Sequence, residues 1–360
     1  MHPSSSLRKV VFGLPWSAVL CAAISLSGCG ILPDWRSPGT SPEQPPTPGD
    51  RFPLPPAGTD VVGIIQIAVA RREDTLPDLA RRYDLGYQEM VAANPGVDPW
   101  LPGEGTRVVL PTQYVLPDAP REGLVLNLAS MRLFYYPRPQ GGEAPRVITH
   151  PIGIGREGWQ TPQGNSHITE KSVKPAWVVP ASVRREHAEM GDPLPPVVPP
   201  GPDNPLGDYA LRLSLPSYLI HGTNQPYGVG LRVSHGCVRL YPEDMARLFP
   251  EVPLGTRVTI VNQPYVAGWR NGLLYLEAHP PLAEEARRWG SSLAPMEQVV
   301  AKQAAVPGAV DWDKARAVAR EARGIPFPVS TDSPDPAAVL GAAPRVPSKP
   351  PWAPAGDTEG

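Results

Sequence analysis

Residues 219–240 read LIHGTNQPYGVGLRVSHGCVRL, with His221, His235 and Cys237 set among glycines. Around this stretch, Tyr209–Leu215 and Tyr218–His221 read as strands joined by a Pro216-Ser217 turn. Pro242-Glu243-Asp244 opens a helix to Phe249, proline suiting a first turn and the acids its dipole. Upstream, GLVLNL and MRLFYY form a hairpin across Ala129-Ser130, Arg146–Ile154 and Gly164–Glu170 are further strands, and Gly255–Val261 closes the set. Ala181–Met190 has amphipathic helical spacing and precedes a Pro/Gly loop, Gly191–Pro205, long enough to cover a site. Many short strands with short helices predict a mainly β fold, a β-sandwich or barrel-like sheet, and not a βαβ one.

The single thiol admits four readings: metal ligand, half of a disulfide, buried small residue or nucleophile. The other cysteines narrow them. The 360-residue chain has three, Cys21, Cys29 and Cys237. Arg8-Lys9 followed by the apolar run VVFGLPWSAVLCAAISLSG reads as a secretory signal over 1–28, too short for a comfortable membrane span. Leu26-Ser27-Gly28-Cys29 resembles a bacterial lipoprotein box, which implies cleavage before Cys29, lipidation of its thiol and, with Gly30 next, an outer-membrane address. Cys21 then leaves with the signal, and Cys237 stands alone in an exported chain with no intramolecular disulfide.

Proline, 51 residues, clusters at Pro33–Pro56 and Pro326–Pro354. The first cluster predicts a stiff tether over 29–60 and the second a disordered tail over 325–360. A net charge of −2 gives no argument for nucleic acid. Residues 61–112 carry strand, helix, helix, strand in about fifty residues, too few for a large core of their own. Asp74 or Thr75 caps the first helix, whose Leu76, Leu79 and Tyr83 share a face, and Asn94-Pro95-Gly96 closes the second. DTLPDLARRYDLGYQEMVAANP and LPGEGTRVVLP resemble a LysM module, which implies binding to N-acetylglucosamine-containing glycan strands; Ala70-Arg71-Arg72-Glu73 departs from the usual glycine-aspartate turn. A spacer with no ligand is the bland alternative.

An imidazole beside Cys237 can draw off its proton, and backbone N–H groups around His235, Gly236 and Cys237 can hold the charge that builds on an attacked carbonyl. Zinc on His221, His235 and Cys237 lacks ligand spacing and an evident fourth ligand, and an inert core cysteine fits poorly among polar residues and glycines. His235 reads as scaffold. Arg239 is a surface charge or a bidentate carboxylate ligand. His150, His167, His187 and His279 have no local constellation.

HGTNQPYGVGLRVSHGCVRL closely resembles the signature of the L,D-transpeptidase catalytic domain. GIGREGWQTPQGNSHI, GPDNPLGDYALRLS, LYPEDMARLF and VPLGTRVTIVNQP agree with it over 121–262, and AGWRNGLLYLEAHPPL carries the likeness into an extension, 263–324. The resemblance implies Cys237 as nucleophile, His221 as general base, Gly222, Ser234, His235 and Gly236 as the elements shaping the oxyanion hole, and Arg239 as an ordering or substrate-binding residue, with no cofactor or metal. It implies attack on the L-centre carbonyl of diaminopimelate in a tetrapeptide stem, release of D-alanine, and transfer of the acyl group to an amine. A second stem gives a 3→3 cross-link; a lysine of murein lipoprotein gives wall attachment, the branch this layout most resembles; a free D-amino acid gives exchange. Two alternatives stand beside it: a hydrolase acting on the same stem, and a non-catalytic peptidoglycan-binding lipoprotein. The implied location is the periplasmic face of the envelope, through a lipid anchor.

Overall fold

A computed structural model describes residues 51–289, 291–304 and 309–348. The expected signal over 1–28, the expected lipidation at Cys29 and residues 29–50 of the expected tether lie outside the described residues. The last tether residues belong to the fold: Arg51–Pro53 (β1) pairs antiparallel with Arg146–Pro151.

Val61–Gly63 (β2) and Gln66–Val69 (β3) lead into helices Leu76–Arg82 (α1) and Tyr87–Ala93 (α2), then Arg107–Leu110 (β4) and Gln113–Val115 (β5). The β3 and β4 strands pair antiparallel, as the strand–helix–helix–strand reading expects. Thr75 is the α1 cap, its Oγ1 accepting from Asp78 N at 3.2 Å, while Asp74 instead accepts from Arg71 and Arg82.

The central region runs Gly123–Asn127 (β6), Arg132–Tyr136 (β7), Arg146–Pro151 (β8), Ile154–Gly155 (β9), Gly164–Val173 (β10), Trp177–Val178 (β11), helix Ala181–Glu189 (α3), Val197–Val198 (β12), Tyr209–Leu213 (β13), Leu219–His221 (β14), Arg232–Ser234 (β15), Val238–Arg239 (β16), helix Pro242–Glu251 (α4) and Arg257–Val261 (β17). Nine strands join one mixed sheet in the order β1-β8-β7-β6-β17-β10-β13-β14-β16, so the fold is mainly β with short helices, as expected. Its central strands are buried on both faces, which is why GLVLNL and MRLFYY read as nearly continuous apolar runs. Period-two alternation divides them between two cores. Leu124, Leu126, Leu133, Tyr135 and Ile148 face one core with Met245 and Leu248 of α4; Val125, Phe134, Tyr136 and Val147 face the other, with Leu76, Leu79, Tyr83 and Met90. The small N-terminal module is therefore packed on the back of the sheet.

One buried polar anchor crosses this contact. Arg132, 1% exposed on β7, forks onto Glu89 of α2 at 2.8 and 3.1 Å, donates to the Asp84 carbonyl at 2.8 Å and lies 4.2 Å over the Tyr114 ring. Nearby, His150 Nδ1 meets Asp84 at 2.9 Å beside Asp244. Histidine 150 thus has a constellation that its sequence neighbourhood does not show.

Beyond β17 come Tyr265–Arg270 (β18), Leu273–Ala278 (β19), Ala283–Trp289 (α5), Ala294–Gln303 (α6), Trp312–Glu321 (α7), Phe327–Pro328 (β20), Pro336–Ala342 (α8) and Arg345–Val346 (β21). The stretch 282–303, helical in its sequence, divides into α5 and α6. Residues 325–348 correct the disordered-tail expectation. Phe327 and Val329 are buried with Leu274 and Leu276, β20 pairs with β19, and β21 adds in parallel to β3. Proline is tolerated there because β20 is a two-residue edge strand; residues 349–360 lie outside the described residues.

Candidate active site

Strand β14 pairs in parallel with β16, setting Ile220 opposite Val238 and His221 opposite Arg239. Ile220 and Val238 point into the sheet core. Alternation then puts His221, Arg239 and the preceding Cys237 on the other face. The nucleophile and base proposed from sequence, sixteen positions apart, are joined by strand pairing.

The sulfur rests on the turn between β13 and β14. Cys237 Sγ lies 3.6 Å from the Ser217 carbonyl, and Leu219 N–H also points at it. Ser217 holds a φ of +70° to make this turn. Sequence reading found the turn but not that it cradles the thiol.

Gly236 is required by both its backbone and its neighbours. Its φ is +104°, and a Cβ there would sit 2.7 Å from the Tyr218 ring. Ser234 Oγ donates to the Cys237 carbonyl at 2.6 Å and accepts from Gly236 N–H at 3.1 Å, and Thr161 Oγ1 donates to the Gly236 carbonyl at 2.8 Å. Ser234 and Thr161 therefore brace the loop, and the Gly236 N–H is already engaged. Of the three expected oxyanion donors, this leaves the N–H groups of His235 and Cys237.

Burial and the Arg239 charge push His221 down to about 3, against support from the Gly222 and Leu206 carbonyls. Its Nδ1 lies 2.6 Å from the Gly222 carbonyl, which can only accept, so Nδ1 carries the proton and Nε2 keeps a lone pair. Burial pushes the Cys237 thiol up, while Leu219 N–H, Arg239 and Arg212 pull it part of the way back. Burial thus works against the charged form of each group, the thiolate and the imidazolium alike. Alkylation of Cys237 by iodoacetamide is accordingly expected to be slow at neutral pH and still rising above pH ~8.5, the usual thiol value; a plateau below pH ~8 would instead mean a preformed thiolate.

Arg239 Nε is buried without a partner, and burial lowers the guanidinium below the ordinary arginine value. A partly desolvated cation with an open fork, on the same face as the thiol, suits a carboxylate ligand better than a surface charge.

His235 turns away. Its Nε2 lies 2.7 Å from Glu186 of α3, and Trp159 packs edge-on against its ring at 4.9 Å. Among the described residues, the ligand atoms close enough to share a metal are those of Asp84, His150 and Asp244, not those of His221, His235 and Cys237. His187 packs 5.9 Å from His235, and His279 bonds Glu277 at 2.7 Å.

A thiol and a histidine on one sheet face, with a glycine-framed loop, make a candidate site for acyl transfer, and the comparisons agree with that class. Residues 121–260 match the L,D-transpeptidase catalytic domain model, YkuD. YbiS of Escherichia coli strain K12, named a probable L,D-transpeptidase, is 43% identical over 73% of this chain and 86% of its own length. YcfS of the same strain is 42% identical over 67% and 76%, and ErfK/SrfK of Salmonella typhimurium strain LT2 is 41% identical over 79% and 92%, each under the same description. The chain belongs to the L,D-transpeptidase family.

Proposed function

We propose that this transpeptidase works through Cys237 on peptidoglycan tetrapeptide stems. Sγ attacks the L-centre carbonyl of diaminopimelate while His221 Nε2 takes the thiol proton. The oxyanion is held by the N–H groups of His235 and Cys237. Its collapse expels D-alanine, whose amine receives the proton from His221, and leaves a thioester. An acceptor amine then attacks, giving its proton to His221, and the returning thiol closes the cycle. Arg239 binds a substrate carboxylate. The observation that carries this reading is the placement of Cys237, His221 and Arg239 on one sheet face, with the sulfur seated on the Ser217–Leu219 turn.

The N-terminal module reads as a LysM-like glycan-binding element. Its strand–helix–helix–strand order supports this, as does an exposed edge where Trp100, 58% exposed, lies 6.3 Å from the Tyr87 ring beside Leu101, 79% exposed. Sugar rings stack on such surfaces. No helix of the described residues is long and apolar enough to cross a membrane. Attachment to the outer membrane would rest on Cys29, and murein lipoprotein is the proposed acceptor alongside a second stem.

The test incubates signal-free protein with a disaccharide-tetrapeptide and follows product masses. Release of D-alanine with dimer formation is expected; D-alanine with tripeptide alone would make the protein a carboxypeptidase, and no release would end the reading.

A further inference from the structure

Residues 174–208 form an insertion between β10 and β13, closed at its neck by Lys174 N–H on the Asp208 carbonyl at 2.7 Å. Its apolar anchorage is slight. Val179, Val183 and Leu206 are buried, whereas Val178 is 72% and Met190 63% exposed. Asn204 ties the loop to itself, donating to the carbonyls of Pro175, Val198 and Pro199. Among the described residues, the polar bonds from α3 to the nucleophile loop converge on one side chain, Glu186. Its Oε2 meets His235 Nε2 at 2.7 Å and its Oε1 pairs with Arg156. Arg156 in turn donates its backbone N–H to the Ser234 carbonyl at 3.0 Å, and Trp159 walls the other side of the His235 ring. The shorter contact on His235 Nε2 is to the carboxylate, which only accepts, and it places the proton there; Arg156 Nη2 lies 3.1 Å from the same nitrogen. Three segments thus meet at His235: the 153–161 loop, the nucleophile loop and the insertion helix.

We propose that Glu186 is a positioning residue that latches α3 to His235, so that the insertion comes down and the His235–Cys237 peptide groups take up their oxyanion-binding arrangement together. The latch touches neither substrate nor the sulfur. It acts through His235, two residues before the nucleophile, by holding the ring from which the N–H-bearing backbone hangs. Preorganised donors act on the charge of the transition state and little on the bound ground state. Loss of the latch therefore appears in kcat more than in KM.

The proposal rests on the transpeptidase reading for its kinetic arm, and hydrogen exchange supplies an arm that does not. Glu186→Ala is expected to lower kcat on the tetrapeptide at least about tenfold with KM within about twofold. Glu186→Gln, which keeps an oxygen to accept from His235, should stay within about threefold of the wild type. In the protein without substrate, Glu186→Ala should lose amide protection in 181–190 and 232–240 together, with 123–136 unchanged. Wild-type kcat in Glu186→Ala, equal impairment of Ala and Gln variants, an effect confined to KM, or unaltered exchange in 232–240 would each overturn the latch. If the wild type releases no D-alanine, the functional reading fails and exchange alone decides the latch.

Discussion

Cys237→Ala is expected to abolish D-alanine release from the tetrapeptide, at least about 10³-fold, because the covalent step has no substitute. Cys237 is the one free cysteine among the described residues. The hydroxyl of the same loop, Ser234 Oγ, is committed to the Cys237 carbonyl and the Gly236 N–H, and freeing it would unbrace the loop. A neutral His221 can still take a proton, but no acyl group can be held for the acceptor. The fold should not suffer. The thiol makes weak contacts, to the Ser217 carbonyl and the Leu219 N–H, at a partly exposed position, so its removal should leave the melting temperature within about 2 °C of the wild type. Full turnover in this variant would remove the thioester from the account.

Arg132→Met should be the most damaging change to stability. The guanidinium is sealed between the N-terminal module and the sheet, bound to Glu89, the Asp84 carbonyl and Thr149. Removing one member of a buried pair leaves the other charge stranded, at a cost of about 3–5 kcal/mol. Glu89 would keep only its bond from Gly86 N–H at 2.6 Å. At about 2–4 °C per kcal/mol for a body of this size, the melting temperature should fall by roughly 10 °C. Adding Glu89→Leu should restore most of it, since an apolar pair of similar volume is often neutral there. A fall under about 2 °C in the single variant would mean that the module does not depend on this anchor.

The sequence carried the chemistry more fully than the architecture. His221, Ser234, Gly236 and Cys237 sit within seventeen positions, close enough for one stretch to carry the family resemblance; the positive φ of Gly236 and the Ser234 brace appear only in the structure. Glu186 lies 49 residues before His235, on a helix whose amphipathic pattern gives no hint of its target. Arg132, between Met131 and Leu133, is the kind of residue that alternation would send to solvent. It is buried because the module covers the second face of the sheet, a fact written only in which strands pair. The tail past Gly324 illustrates the same limit. Its prolines predict disorder, yet β20 and β21 are held by edges of strands lying about fifty and nearly three hundred residues earlier. The helix cap at Thr75 and the turn at Pro216-Ser217, both local, were legible.

The central claim, an acyl group carried by Cys237, is tested most directly by the intact mass of the wild-type protein, acid-quenched during turnover of the disaccharide-tetrapeptide. The account predicts an adduct equal to the substrate less D-alanine, found after digestion on the peptide containing Cys237 and absent from Cys237→Ala. An adduct on another residue, or D-alanine release that persists in Cys237→Ala, would contradict it.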